Sequence, residues 1–226
     1  MIASIGGIRL AISVNPDFVA LAQAWMQNPT GALLGFIWSA YARMQTDRPQ
    51  IDPRDLERSI TQLLEPRVRS SMTGFEPFYI QHGSFERETM LPPPAQPPEY
   101  DLAFILRANE QIMWPIEAKV LETPNAVANY VSDVTEQFLT CRYAPFSSSG
   151  AMIGYLLKGN ADDAFDTIAQ KLACTLDPVF GLLEKKNRVS NHSRTVPAGK
   201  PYPADFWCYH LILEYPGLTR ARLMAA

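Results

Sequence analysis

The chain has 226 residues, of which 47% are hydrophobic and 19% are charged, and its formal net charge is −3. This length suits one domain with a substantial core, and this composition is not that of a disordered protein. The net charge excludes a generally basic coat for nucleic acid, although it leaves room for a local basic groove.

Cysteine usage and the N-terminal sequence bear on the compartment. Three widely spaced cysteines (Cys141, Cys174 and Cys208) predict neither a disulfide framework nor a zinc site, so we expect a reducing environment. The first residues lack the pattern of a signal peptide, and no stretch reaches about 18 uninterrupted apolar residues. The sequence therefore predicts a cytoplasmic protein without a membrane partner.

Three helices are predicted first, over residues 15–26, 30–47 and about 53–64. The first begins at Asn15-Pro16-Asp17, which supplies a cap, a proline at the first helical position and an acid in the first turn. The third is expected to end at Glu65-Pro66, because the residue before a proline disfavours the helical region.

Strands are predicted next, over residues 78–83, 101–107 and 111–121. Residues 108–110 form a tight reversal, so the last two strands make a hairpin. Pro115 indicates that the second strand of this hairpin has an edge or a bulge near its start.

The remaining chain alternates helix and strand. We predict a helix over 125–143, a central strand over 151–159, a helix over 162–183 with a break at Asp177-Pro178, a polar basic loop over 184–204 and a last strand over 205–215. This order predicts a mixed α/β fold, with a small mixed central sheet flanked by helices.

Three charged residues stand in the apolar hairpin: Asp101, Glu117 and Lys119. They are either strand residues on a solvated face or the working groups of a site. Period-two geometry puts Glu117 and Lys119 on one face of their strand, and the reversal brings Asp101 opposite that end. Two neighbouring carboxylates repel unless a cation joins them, and such oxygen ligands suit Mg²⁺ or Mn²⁺.

An acid on one strand followed by acid-any-Lys on the next resembles the PD-(D/E)XK nuclease superfamily. The matching residues are Asp101 and Glu117-Ala118-Lys119, whereas the Pro-Asp that begins the family pattern is replaced by Tyr100-Asp101. The resemblance implies a restriction-endonuclease-like core over residues 53–226, with an N-terminal helical elaboration over residues 1–52. It implies that Asp101 and Glu117 bind Mg²⁺ or Mn²⁺ and that Lys119 activates the attacking water.

The same resemblance points to two supporting residues. Family members often add a glutamate from a helix before the sheet, and both Glu57 and Glu65 are available; Glu57, at the flank of the apolar face, is preferred as a third metal ligand. Several branches carry a Gln on the helix after the Lys strand, and Gln137 occupies that place here.

The densest basic run follows the last predicted helix. In a nuclease it would contact phosphates through Lys185, Lys186, Arg188, His192 and Arg194. The ordinary alternative is a solvated surface. Glu184-Lys185-Lys186 also matches acid-any-Lys, which shows that the tripeptide alone is weak.

Taken together, these patterns predict a metal-dependent nuclease that hydrolyses phosphodiester bonds of nucleic acid, with DNA favoured over RNA as the substrate. Restriction and phage defence are conceivable settings, and a homodimer or partner protein could supply recognition. The alternative is a catalytically inactive nuclease-like protein that binds or regulates through a partner.

Overall fold

The computed structural model describes residues 30–89 and 97–219. Its elements in chain order are α1 (Thr30–Asp47), α2 (Leu56–Ser71), β1 (Phe78–Phe85), β2 (Glu99–Leu106), β3 (Met113–Leu121), α3 (Ala128–Ser132), a π-helix (Asp133–Phe138), β4 (Ser149–Leu156), α4 (Ala161–Leu172), β5 (Asp177–Pro178), β6 (Asn187–Ser193) and β7 (Asp205–Glu214). The first predicted helix, over 15–26, lies outside the described residues.

The described strands form one sheet of seven strands in the order β1-β2-β3-β4-β7-β6-β5. β3, β4 and β7 run parallel to one another, and antiparallel strands flank them on both sides. Every residue of β4 is buried, as its nearly continuous apolar sequence predicted for a central strand. The predicted mixed α/β class is confirmed.

Helices cover both faces of the sheet. On one face, α2 packs on β3 and α1 packs on α2, in a cluster that includes Ile37, Ile60 and Ala118. On the other face, α3, the π-helix and α4 pack on β3 and β4 through a cluster that includes Tyr130 and Met152. None of the helices within residues 30–89 and 97–219 is long and apolar enough to cross a membrane.

Helix α2 differs from its prediction, since it starts later and runs through Pro66 to Ser71. Asp55 caps its start, because the carboxylate accepts a hydrogen bond from the N–H of Arg58. Pro66 is exposed, so the carbonyl that loses its partner faces water, while Val68 continues the buried face. The prediction that α2 ends at Glu65 was therefore wrong.

The region after α4 also differs from its prediction. α4 ends at Leu172, and Ala173 caps it in the left-handed region with φ 51°. The predicted loop over 184–204 contains strand β6, which pairs with β7 along its whole length. The sequence hid this strand because both of its buried side chains, Asn187 and Ser190, are polar, so the strand lacks an apolar alternation.

Candidate active site

The candidate site lies where β2 and β3 separate. Their backbone pairing ends at Leu102 and Ile116, and beyond that point two carboxylates bind the N–H groups that β3 turns towards β2. Asp101 Oδ2 accepts from the Ala118 N–H (2.8 Å), and Glu57 Oε2 accepts from the Val120 N–H (3.0 Å). Side chains thus replace the missing strand partner, and this holds both carboxylates at one edge of β3.

A backbone kink directs Asp101 towards β3. Gly83 of β1 lies across from Asp101, has a φ of 68° and interrupts the pairing between His82–Leu102 and Ser84–Tyr100. A side chain at Gly83 would meet Glu99 Oε1 at 2.9 Å, and the left-handed backbone favours glycine. Tyr100 and Ala103 then pack in the same cluster although they are three residues apart, so β2 changes face between them.

The ammonium of Lys119 lies at the centre of four carboxylates. Its Nζ donates a hydrogen bond to Glu117 Oε1 at 2.7 Å and to Glu57 Oε1 at 3.4 Å. Asp133 Oδ2 lies at 3.1 Å and Asp101 Oδ2 at 4.0 Å, both as ion pairs. Four carboxylates and one ammonium give this carboxylate cluster a net charge of −3 when every group is ionised.

The four carboxylates come from both sides of the sheet. Glu57 belongs to α2 on one face, Asp133 belongs to the π-helix on the other face, and Asp101 and Glu117 belong to the strands between them. The separation of β2 from β3 gives both helices access to the same point. π-helical turns are rare and are frequent at functional sites.

Burial and mutual repulsion dominate the electrostatics of the cluster. Burial, followed by the charge of Asp101, raises the pKa of Glu117 well above its ordinary value. Burial also raises the pKa values of Glu57 and Asp133. Burial alone would lower the pKa of Lys119, but the charges of Glu117 and Glu57 outweigh it and raise this pKa. The lysine is therefore a firmly protonated ammonium that offsets part of an excess of negative charge.

A buried carboxylate oxygen of Glu117 forms no hydrogen bond with the residues that the structure describes. Glu117 is 7% exposed, and its Oε2 forms no hydrogen bond with any residue that the structure describes. A buried carboxylate oxygen without a donor is costly unless a ligand completes it.

The donor chemistry of the cluster fits a hard divalent cation, since all its acceptors are carboxylate oxygens. The geometry for one is not preformed. Within residues 30–89 and 97–219, no group of three His, Cys, Asp or Glu side chains is arranged to hold a metal ion. Lys119 Nζ instead occupies the centre of the acceptors.

The predicted residues of the hairpin and of α2 thus meet at one place. Glu57 reaches the cluster, whereas Glu65 is paired with Arg69 on the same helix. Asp133 was missed by the sequence analysis, although it lies one turn before Gln137 on the same segment and that spacing was a usable signal. Gln137 is half-buried, and its Oε1 has no hydrogen-bond partner among the described residues.

The predicted phosphate-binding residues are divided between the surface and the interior. Lys186 and Arg188 pair with Asp162, and Lys185 Nζ lies 6.0 Å from the centre of the Trp38 ring. Arg194, in contrast, is 7% exposed, and its guanidinium donates to four backbone carbonyls, those of Phe138, Tyr143, Ala144 and Ser147. Arg194 therefore ties together the loop before β4.

His192 belongs to a second buried polar group, which we call the histidine network. Ser190 Oγ lies 2.7 Å from His192 Nε2 and 2.8 Å from His210 Nε2, and His210 Nδ1 lies 3.0 Å from the Tyr130 hydroxyl. Tyr130 in turn donates to the Met152 carbonyl at 3.3 Å. One assignment of the hydrogens satisfies every contact in this network. His192 Nε2 donates to Ser190 Oγ, the Ser190 hydroxyl donates to His210 Nε2, and His210 Nδ1 donates to the Tyr130 hydroxyl.

No family model matches the chain, and no curated protein or solved structure gives a significant match.

Proposed function

We propose that the chain is a metal-dependent nuclease of the PD-(D/E)XK type, built on a restriction-endonuclease-like core. The observation that carries the proposal is the convergence of Asp101, Glu117, Glu57 and Lys119 at the end of the β2–β3 hairpin, with Glu117 Oε2 buried and without a donor. This combination has the acid, acid-any-Lys and helix glutamate that the sequence resemblance calls for.

Asp101 and Glu117 would hold a Mg²⁺ or Mn²⁺ ion, with Glu57 as a third ligand. The ion would supply positive charge that stabilises the phosphate in the transition state. The reaction itself is hydrolysis, in which water adds to phosphorus and the bond from phosphorus to the leaving sugar oxygen breaks.

Lys119 acts in this scheme through its charge. The charges of Glu117 and Glu57 raise its pKa, so without metal it is an ammonium that donates hydrogen bonds. It would hold the attacking water or a phosphate oxygen while negative charge develops. The raised pKa of Asp133, which is not among the proposed metal ligands, makes this carboxylate a better proton acceptor than an ordinary acid.

The test is cleavage of supercoiled plasmid and of single-stranded circular DNA with Mg²⁺ or Mn²⁺. We expect Asp101→Asn, Lys119→Met and Glu57→Gln each to lower the rate at least about 100-fold, as the loss of a preorganised electrostatic group does elsewhere. Glu65→Gln is the matched control, because Glu65 lies on the same helix but outside the cluster. Equal rates for the wild type and Asp101→Asn would refute the proposal.

A binding or regulatory protein is the second candidate. It is favoured by the position of Lys119, whose ammonium already occupies the centre of the carboxylates. Folded wild-type protein that binds nucleic acid and cleaves none of these substrates with either ion would support it.

A further inference from the structure

A groove of about 540 Å³ crosses β1, β2 and the start of β3, outside the carboxylate cluster. Its volume lies in the range of clefts that hold small molecules or single groups of larger ligands. The lining combines aromatic rings with acceptors, and the residues that matter are Tyr79, Ser84, Phe85, Glu86, Glu110 and Gln111.

Ser84 is the feature that indicates a ligand. Its side chain is 3% exposed, it lines the groove, and its Oγ has no hydrogen-bond partner among residues 30–89 and 97–219. Glu86 beside it is 4% exposed and is held in place, since its Oε2 accepts from the Tyr100 hydroxyl at 2.9 Å. Burial raises the pKa of Glu86 to about 7, so near neutrality its carboxyl group can either accept or donate a hydrogen bond.

The groove adjoins the carboxylate cluster. The register of β1 and β2 places Ser84 across from Tyr100, the residue before Asp101. The Tyr143 ring packs on Tyr100 with centroids 5.0 Å apart, and the charge of Glu117 contributes to the raised pKa of Tyr143 after burial. The groove therefore lies beside the cluster, with the buried rings of Tyr100 and Tyr143 between the two.

The lining selects the chemistry of that ligand. Glu110 and Gln111 present acceptor oxygens, whereas Arg87 is the one cation among the described lining residues, so an anion such as phosphate is disfavoured. The Phe85 ring is 41% exposed and offers a face on which a flat group can stack. Nucleobases that carry an exocyclic amino group are flat and present such donor hydrogens on one edge.

We propose that this groove binds one unpaired nucleobase with an exocyclic amino group, next to the phosphodiester at the carboxylate cluster, and thereby selects single-stranded nucleic acid. The proposal rests on the proposed nuclease function for its substrate. A base in a duplex cannot enter, because its donor edge is paired and its faces are stacked.

Free nucleosides test the groove separately from cleavage. We expect cytidine and adenosine to bind in titrations followed by NMR, thymidine to bind at least about tenfold more weakly, and ribose 5-phosphate not to bind. Ser84→Ala should weaken cytidine binding about fivefold or more, through loss of one buried hydrogen bond. Glu110→Gln, which exchanges an acceptor for an amide, should reduce the preference for cytidine over thymidine, and Glu65→Gln is the control that should change nothing.

Equal affinity for cytidine and thymidine, no binding of any nucleoside, or full binding by Ser84→Ala would each overturn the proposal. Cleavage gives a second readout, since single-stranded DNA should be cut at least about tenfold faster than duplex by the wild type, and equal rates would also overturn it. If no nucleic acid is cleaved while cytidine binding depends on Ser84, the nuclease function fails and the groove remains a nucleobase site.

Discussion

Two buried polar regions lie on opposite sides of β4, and they are built in opposite ways. The histidine network is neutral, and each hydroxyl or ring nitrogen named in it has a partner within 2.7–3.3 Å. The carboxylate cluster carries more negative than positive charge, and Glu117 Oε2 has no donor among the described residues.

This difference separates polar groups that serve the fold from polar groups that await a ligand. A buried network whose members satisfy one another stabilises and orders the core. A buried carboxylate with a raised pKa and an unmatched oxygen lowers stability in the isolated protein, and such groups concentrate at functional sites. Substitutions in the two regions should therefore change stability in opposite directions.

Glu117→Gln should have the largest effect. It should lower metal-dependent cleavage at least about 100-fold, since it removes a charged group of the proposed site. Without metal it should raise the free energy of unfolding at pH 7.5, because the fold raises the pKa of the Glu117 carboxyl and so disfavours its ionised form. Urea denaturation at pH 7.5 measures the change in stability. A Glu117→Gln protein less stable than the wild type would contradict the difference that we infer between the carboxylate cluster and the histidine network.

Ser190→Ala should act in the opposite sense. It leaves His210 without its Nε2 partner in the core, so we expect a loss of about 1–3 kcal/mol in the free energy of unfolding. Cleavage per folded molecule should not change. Ser193→Ala, at an exposed position of the same strand, is the control and should leave stability within about 0.5 kcal/mol.

Acid should destabilise the histidine network. Burial lowers the pKa of His210 from its ordinary value of 6.5 to about 3. Because the pKa of His210 is lower in the folded state, its contribution to the free energy of unfolding is complete above pH 6.5. This contribution is lost as the pH falls towards 3. The pKa of neighbouring His192 is also lowered by burial, so it adds in the same direction, whereas Tyr130 and Cys208 stay neutral throughout this range.

The measurement is denaturation of the wild type and of His210→Gln between pH 7.5 and 4.5. The wild type should lose more stability over this range than the variant does. A parallel pH dependence of the two proteins would show that His210 does not titrate as its burial requires.

The smallest effect is expected at the surface. Lys186→Ala removes an exposed ion pair with Asp162 and should change the free energy of unfolding by less than about 1 kcal/mol. If Lys186 contacts a phosphate, this substitution should also change the salt dependence of nucleic-acid binding. The slope of log affinity against log salt concentration should become shallower by about one unit. Fluorescence anisotropy at several salt concentrations measures this slope, and an unchanged slope would remove Lys186 from the binding surface.

The sequence predicted the hairpin and the convergence of its charges because both follow from local rules. Strand parity put Glu117 and Lys119 on one face, and the reversal at residues 108–110 brought Asp101 to their end of the sheet. The helical spacing of α2 distinguished Glu57 from Glu65. Each of these inferences needed only the period of a single element or the position of a turn.

The parts that the sequence did not predict depend on contacts between distant segments. Asp133 reaches Lys119 through a π-helical turn, which has no distinct residue pattern. Strand β6 is held by β7, and the buried hydroxyl of Ser190 is bonded by His192 of the same strand and by His210 of β7. The sequence predicts that Arg194 is a surface cation, whereas four backbone carbonyls hold its guanidinium in the interior.

The π-helix makes one part of the site sensitive to chain length. A π turn contains one residue more than the α turn it replaces, and a single residue corresponds to about 100° of rotation in an α-helix. Deleting one residue between Asp133 and Phe138 would keep every charged side chain of the cluster, but it would turn Asp133 away from Lys119 or Phe138 out of the core. Relatives of this chain could therefore gain or lose the fourth carboxylate by a one-codon insertion or deletion, without any substitution among the charged residues.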